Sequence, residues 1–382
     1  MAKNRFKEIV RAVVHLLYVC LPKWNHAILW GWPVGEDSTR ALATQLPETS
    51  VRHVIILVDD PRVGKMVFGD AGKKIKLVAK DSFGAWVWFL TARYVFFTHR
   101  CFMRRFPRRV VSVNIWHGMI FKKLGGYRDP KERIRSRYAL ATSKFWRPMI
   151  QEALGPFGSI LSTGLPRNDR LFMDRAVARA KLGITDAWQK KKMIAWLPTY
   201  RKSVRGEIHE DGEESGSAFG LKDIDPAEIN AFCESQNIMI WVKPHPMSAF
   251  EKAEEWSHLL IVDDDWLLSR GLSLYETLAA SDALISDISS VAIDFLLLDL
   301  PIIHCFPDIE AYRDTRGFTV EPIEDYFMGP TATDWEALKG ELLQISQGED
   351  PWCERRRELA ALFHSNKDDK STERLLKAVG LC

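Results

Sequence analysis

Apolar residues in this chain come in short dense runs, hydrophobic at consecutive positions rather than alternate ones. Runs of that kind mark strands buried on both faces, as in a parallel sheet. Ala27–Trp30, Val51–Val58, Lys76–Val78, Tyr94–Thr98, Val110–Ile115, Tyr138–Thr142 and Ser159–Ser162 read this way, with Phe83–Ala92 as a helix among them. The pattern restarts after Lys190 with Met193–Leu197, Ile238–Val242, Leu259–Val262, Ala283–Ser286 and Ile302–Cys305. Ser273–Ala280 and the apolar run Ala292–Leu298 read as helices of this second series, and Trp352–Val379 as helical at the end. Strands alternating with helices predict two α/β domains of parallel, Rossmann-like type, over 23–180 and 181–350, with 176–190 carrying the crossing and helices over 351–382. Two open α/β domains place a ligand cleft between them, at the carboxyl ends of the strands. The segment Lys202–Asp223 has no period and follows a strand end, so it is expected to be a loop that can act as a lid.

The first 22 residues follow another period. Lys3, Lys7, Arg11 and His15 recur every four positions, and Phe6, Ile9, Val10, Val13, Val14 and Leu17 fall on the other side. This is a basic amphipathic helix. It suits a membrane interface, with cations on anionic headgroups, and equally suits packing on its own domain with a solvated basic stripe.

Charge sharpens the division. The net charge of +3 hides 32 basic and 13 acidic side chains in residues 1–180, against 21 and 37 in residues 181–382. Halves at +19 and −16 imply different partners. Arg104, Arg105, Arg108 and Arg109, with Phe102 and Phe106 between them, suit either a phosphate backbone or anionic lipid with the aromatics dipping into the interface. Lipid is preferred, because no nucleic-acid motif accompanies them. With 46% hydrophobic residues the chain can bury a core, and no stretch is long and uncharged enough to span a bilayer. No secretory signal is read. Six scattered cysteines form neither a zinc pattern nor a disulfide framework, which fits a reducing compartment.

The chemistry is sought just after strands. His117 is delivered there by Asn114-Ile115-Trp116-His117-Gly118, and Lys122 and Lys123 follow. It reads either as a base beside a phosphate or as a His capping a turn. Arg201 follows Leu197-Pro198, and Lys243 with His245 lies in Val242-Lys243-Pro244-His245-Pro246. Ser286-Asp287-Ile288-Ser289-Ser290 opens an apolar helix, which makes a phosphate seat, an ordinary N-cap, or both. Arg316 stands beside Gly317 in Tyr312–Phe318, and Gly164-Leu165-Pro166-Arg167-Asn168-Asp169 reads as a structural turn with a buried polar network. No GxGxxG, GxxxxGK[ST] or GxSxG is present. Asp263-Asp264-Asp265 is better read as a solvated loop opening a helix than as a metal site.

Taken in order, WHGxxxKKLG, GLPRND, LPTYR, KPHP, SDALISDISSVAIDFLLLDLPII and YRDTRGF resemble the CDP-glycerol glycerophosphotransferase family of teichoic acid primases and polymerases, over about residues 90–320. The resemblance implies a GT-B-like fold and a peripheral enzyme on the cytoplasmic face of the membrane. The implied reaction is attack by a hydroxyl of a lipid-linked saccharide on the β-phosphorus of CDP-glycerol or a similar CDP-alditol, with release of CMP; the shortness of the chain favours primase-like or single addition within that family. It makes His117 the general base. It gives the pyrophosphate to His245, Ser289 and Ser290, with Asp287, Lys243, Arg201 and Arg316 around the nucleotide, and gives the acceptor side to Gly118, Lys122 and Lys123. Lys3, Lys7, Arg11 and the four arginines at 104–109 would meet the membrane. No nucleic-acid partner is expected; no cofactor is implied with certainty, and a divalent cation such as Mg²⁺ is compatible. The chain departs from the family pattern at Ile288, where Tyr often stands, on the nucleotide side. It departs again at Met119-Ile120, where a small residue and Pro often follow, on the acceptor side. A glycosyltransferase of the same fold using a nucleotide sugar is the alternative enzyme, and a membrane-surface scaffold with an inactive cleft is the non-enzymatic one.

Overall fold

The computed structural model describes residues 12–69, 72–99, 101–183, 188, 190–198, 219–221, 224–243 and 256–381. Lys3, Lys7, Arg11, Arg201, His245 and all but 219–221 of the expected 202–223 loop lie outside the described residues.

The chain divides into two compact units. The first comprises Met1–His117, Gly125–Asp169 and Asp369–Cys382; the second comprises Gly118–Leu124 and Arg170–Asp368. In the first, β1 (Trp24–Trp30), β2 (His53–Val58), β3 (Ile75–Ala79), β4 (Ala92–Phe97), β5 (Val111–Asn114), β6 (Ser136–Leu140) and β7 (Phe157–Leu161) form one sheet. Its order is β3-β2-β1-β4-β5-β6-β7, and every pairing is parallel. The direction of winding reverses between β1 and β4, the place where open α/β sheets bind ligands.

The second unit repeats the plan. The strands β8 (Lys192–Leu197), β9 (Ile238–Val242), β10 (Leu259–Ile261), β11 (Ala283–Ser286), β12 (Ile302–Cys305) and β13 (Thr331–Ala332) are ordered β10-β9-β8-β11-β12-β13. All are parallel, and the reversal falls between β8 and β11. Apolar burial explains why these segments are strands. All five residues of β9 are buried, as are the last five of both β2 and β8.

The two-domain parallel α/β expectation holds, and most strands lie within two residues of their expected limits. β13 was not expected: two residues are too short to show a period. The run Ala292–Leu298 is a helix over Ser290–Phe295 followed by a tighter turn over Leu296–Leu298, which ends at Asp299 with φ +52°. Trp352–Val379 is two helices, Cys353–Phe363 and Ser371–Ala378. The second of these belongs to the first unit, where Asp169 caps it: its carboxylate accepts Ser371 N–H at 2.8 Å, Thr372 N–H at 2.9 Å and the Thr372 hydroxyl at 2.6 Å.

Among the described residues no helix is long and apolar enough to cross a membrane. Residues 12–20 are helical. Tyr18 is fully buried there, packed on Phe89 and Phe106, while Val13, Leu16, Leu17 and Val19 stand exposed. Arg104, Arg105, Arg108 and Arg109 are exposed too. The aromatics between them turn inward, against the expectation of an interfacial role. Phe102 stacks on Trp86 at 4.0 Å and Phe106 on Phe97 at 5.6 Å, because the core beside β1 and β4 needs their volume.

Candidate functional site

In the first unit the candidate residue His117 lies just beyond the ends of β4 and β5. β5 stops at Asn114, whose side-chain oxygen accepts the Trp116 N–H at 3.1 Å. The chain then turns through Trp116 (φ +33°) and Gly118 (φ +138°), with His117 between them. A tryptophan in that region of φ is uncommon, and Gly118 occupies a conformation that side chains disfavour. β4 delivers His99, whose ring lies flat against His117 at 4.4 Å between centroids and 11° between planes. Trp116 packs against both imidazoles, at 4.0 Å from His117 and 5.0 Å from His99. The guanidinium of Arg167 donates through Nη1 to the main-chain oxygen of His117.

These neighbours fix the protonation state. Burial pushes His117 well below the ordinary imidazole range, and His99 and Arg167 push it further. Burial likewise lowers His99, to about 4, with Lys80 adding to the effect. At neutral pH His117 is therefore a neutral ring able to accept a proton.

In the second unit the segment after Gly118 pairs antiparallel with the Arg316–Phe318 turn. Thr319 N–H donates to Phe121 O at 2.7 Å, Lys123 N–H donates to Gly317 O at 3.1 Å, and Lys122 bridges Phe318. Gly317 has φ +73°, and a Cβ there would meet the Lys123 side chain at 3.3 Å, so glycine suits both the turn and the approach. Arg316 Nε donates to Lys123 O at 3.0 Å. Lys122 Nζ is 3.4 Å from an oxygen of buried Asp287 and 5.4 Å from the centroid of the Tyr312 ring. Motifs far apart in sequence thus converge on one cation.

Asp287 leads from β11 into the helix Ser290–Phe295. Ser289 occupies its N-cap, and the Ser289 hydroxyl does not close the helix. The Ser286 hydroxyl donates to Leu197 O at 3.0 Å, joining the ends of β11 and β8 at the winding reversal. His304, at the end of β12, secures the same turn: Nδ1 lies 3.2 Å from Asp287 O, and Nε2 accepts Met328 N–H at 2.9 Å. Both contacts are satisfied by one neutral tautomer with the proton on Nδ1. Farther along, Asp294 accepts the Tyr275 hydroxyl at 2.6 Å and His364 Nε2 meets Ile293 O at 2.7 Å, so the helix is anchored from beneath.

Burial lowers His304 to about 4, with Asp287 opposing. An unfolded imidazole titrates near 6.5. Above that pH neither state binds the proton. Between about 6.5 and 4 only the unfolded chain does, so stability falls as pH drops through this window and levels off below it. The fall from this residue is about 3 kcal/mol. Urea midpoints should therefore decrease from pH 7 to pH 5; an unchanged midpoint would contradict the buried neutral His304.

Other expected residues are placed differently. Lys243 directly follows β9 and pairs with Asp264 at 2.9 Å. Asp263 caps the helix Asp264–Ser269 by accepting Trp266 N–H, so the acidic run opens a helix. Among the described residues no three His, Cys, Asp or Glu side chains gather as metal ligands. Met119, Ile120 and Ile288 are all buried, so the positions at which the chain departs from the family pattern are core positions. Three neighbours of these candidate residues were not singled out for chemistry in the sequence. His99 carries the same strand-end signal as His117 and could have been found by it. Arg167 was assigned to a structural turn, and His304 sits inside an apolar strand where nothing local singles it out.

Over residues 36–381 the chain matches the family described as CDP-Glycerol:Poly(glycerophosphate) glycerophosphotransferase. It is 26% identical over 289 residues to a teichoic acid ribitol-phosphate polymerase of Staphylococcus aureus, an alignment covering 72% of this chain and 48% of the relative. To a teichoic acid ribitol-phosphate primase of Bacillus spizizenii it is 25% identical, covering 70% of this chain and 69% of the relative. The chain thus spans about half the length of the polymerase and two thirds of the primase. A variant of the wall teichoic acid polymerase TagF superposes with a TM-score of 0.75 at 19% identity, covering 98% of this chain and 97% of that structure, which is a likeness of fold.

Proposed function

The chain belongs to the CDP-glycerol:poly(glycerophosphate) glycerophosphotransferase family, and from that premise we propose that it transfers an alditol phosphate from a CDP-alditol, CDP-glycerol foremost, to a hydroxyl of a lipid-linked saccharide, releasing CMP. The observation that carries the reading is His117, a half-buried imidazole kept neutral by its surroundings and held in a constrained turn within a chain of this family. In the proposed step the acceptor oxygen attacks the β-phosphorus and its proton passes to His117. The bond from that phosphorus to the bridging oxygen breaks, and CMP leaves with the electron pair. Phosphoryl transfer needs alignment and charge neutralisation more than covalent help. Lys122, Lys123, Arg316 and the N–H groups at Ser289 and Ser290 would supply the neutralisation, and Asp287 would hold Lys122 in place. Arg201, Lys243 and His245 complete the proposed donor set, with Gly118 giving the acceptor room beside His117. The reaction requires His117 and these groups to act on the same phosphorus. A divalent cation such as Mg²⁺ would be compatible with it. We take the reaction as a single, primase-like addition; the number of alditol phosphates added per acceptor decides that point.

The test is a donor panel of CDP-glycerol, CDP-ribitol and UDP- and GDP-sugars, with and without lipid extract. Acceptor-dependent release of CMP is the expected result. Turnover only with nucleotide sugars, yielding a nucleoside diphosphate, would replace this reading with glycosyl transfer. Binding to vesicles without turnover of any donor would leave a scaffold.

We also propose that the protein works at the cytoplasmic face of the membrane. The exposed Val13, Leu16, Leu17 and Val19 support this, as do the exposed Arg104, Arg105, Arg108 and Arg109. Lys3, Lys7 and Arg11 would continue the basic helix. Changing Leu16 and Leu17 together to Ser should weaken binding to phosphatidylserine vesicles by about tenfold or more. Undiminished sedimentation with the vesicles would remove the helix from this role.

A further inference from the structure

We propose that Arg167 is a positioning residue for His117: its guanidinium, set inside the first unit, fixes the main-chain carbonyl of His117 and so determines where the imidazole stands. The inference rests on the reading of His117 as the base and adds to it a residue that touches neither substrate. Four observations carry it.

The turn bearing His117 runs between Trp116 at φ +33° and Gly118 at φ +138°. Conformations of this kind persist only where surrounding structure over-determines them. Two hydrogen bonds do so here. Asn114 receives the Trp116 N–H before the His, and Arg167 Nη1 donates to the His117 oxygen itself.

Arg167 is 6% exposed. A buried guanidinium is costly unless a counter-charge and hydrogen bonds meet it. Glu36 is coupled to it electrostatically: burial raises its carboxyl, and Arg167 is the first influence opposing that rise. Glu36 is itself held, since its Oε2 accepts the Thr39 N–H at 3.0 Å and the Thr39 hydroxyl at 3.2 Å at the start of the helix Asp37–Gln45.

The base from which Arg167 reaches is rigid. Asn168 N–H donates to Leu165 O at 3.0 Å, and Asp169 is fastened to Ser371 and Thr372. One arm of the guanidinium is therefore held on the His117 carbonyl from a fixed base.

Finally, the cation acts on the imidazole. Burial, then His99, then Arg167 hold His117 low. Lys80 acts on His99, and Glu36 is the acidic group that Arg167 influences.

The test compares Arg167→Met, Arg167→Lys, His117→Gln and the double variant His117→Gln/Arg167→Met in the full chain. Turnover of CDP-glycerol with lipid extract is followed across pH. Arg167→Met should lower kcat by about a hundredfold, with KM for CDP-glycerol unchanged. It should also move the acid limb of kcat/KM to higher pH, because a cation disfavouring imidazolium has gone. Arg167→Lys should lower kcat and leave the limb in place, because the charge stays and the fork does not. The double variant should be no slower than His117→Gln alone, as expected for residues acting as one unit. A folded Arg167→Met with wild-type kcat and an unmoved limb would overturn the proposal, and so would a double variant far slower than His117→Gln. Should Arg167→Met not fold, Arg167→Lys decides: unchanged kcat there refutes the proposal. A fully active His117→Gln would instead refute the base assignment, and the proposal with it, whereas an inactive His117→Gln beside normal Arg167 variants would refute the positioning role alone.

Discussion

Replacing His117 by Gln is expected to lower turnover by about a thousandfold, the contribution of a well-placed general base. Gln is close in size, so the space beside His99 and Trp116 stays filled. What is lost is a ring that can take a proton. Binding of CDP-glycerol should survive, because the proposed donor groups belong to the second unit. The wild-type rate carries a second signature. His117 lies well below the usual imidazole value of about 6.5. A base loses activity as pH falls through its own pKa, so kcat/KM should stay flat from pH 8 to well below 6.5 and decline only further into acid. A normal rate in His117→Gln, or an acid limb near 6.5 or above, would count against the role.

Lys122→Met is expected to act on both rate and stability. As the cation beside the donor seat, Lys122 is proposed to neutralise charge that develops on the phosphoryl group. Loss of one such group costs about 10²–10³ in kcat. The same change leaves Asp287, 1% exposed, without its 3.4 Å partner. Breaking a fully buried pair costs more, but Lys122 retains some solvent contact, so about 2 kcal/mol is expected. The double variant Lys122→Met/Asp287→Asn separates the two effects. Removing the Asp287 charge as well should restore the thermal midpoint toward wild type, whereas the rate should stay low. Recovery of both together would make Lys122 a structural residue.

The legible part of this molecule was the part written in local pattern. Runs such as HVIILV and IMIWV are buried on both faces, and that burial is visible as unbroken apolarity. The rule that polar residues just beyond strands are candidates for chemistry singled out His117, Asp287, Ser289 and Ser290, and the structure does place them just after β5 and β11. The illegible part was which of these meet. Lys122 and Asp287 are 165 residues apart, and Arg167 reaches His117 across 50. Those encounters follow from strand order and from turns such as Trp116–Gly118, which no period encodes. His304 was hidden for another reason: within an apolar strand a histidine looks like one more packed residue, and its role appears only with the Asp287 carbonyl beside it. Phe102 and Phe106 show the opposite error. Alternation with arginines suggested a surface, but the aromatics are half-buried against the core while the arginines face out.

The most direct measurement follows the phosphorus. CDP-glycerol labelled with ³²P at the glycerol-bearing phosphate would be incubated with the protein and lipid extract, and the products separated. The label should pass into the lipid fraction while the released CMP stays unlabelled. Label remaining in a released nucleoside diphosphate, or absent from the lipid fraction while donor is consumed, would contradict phosphoryl transfer.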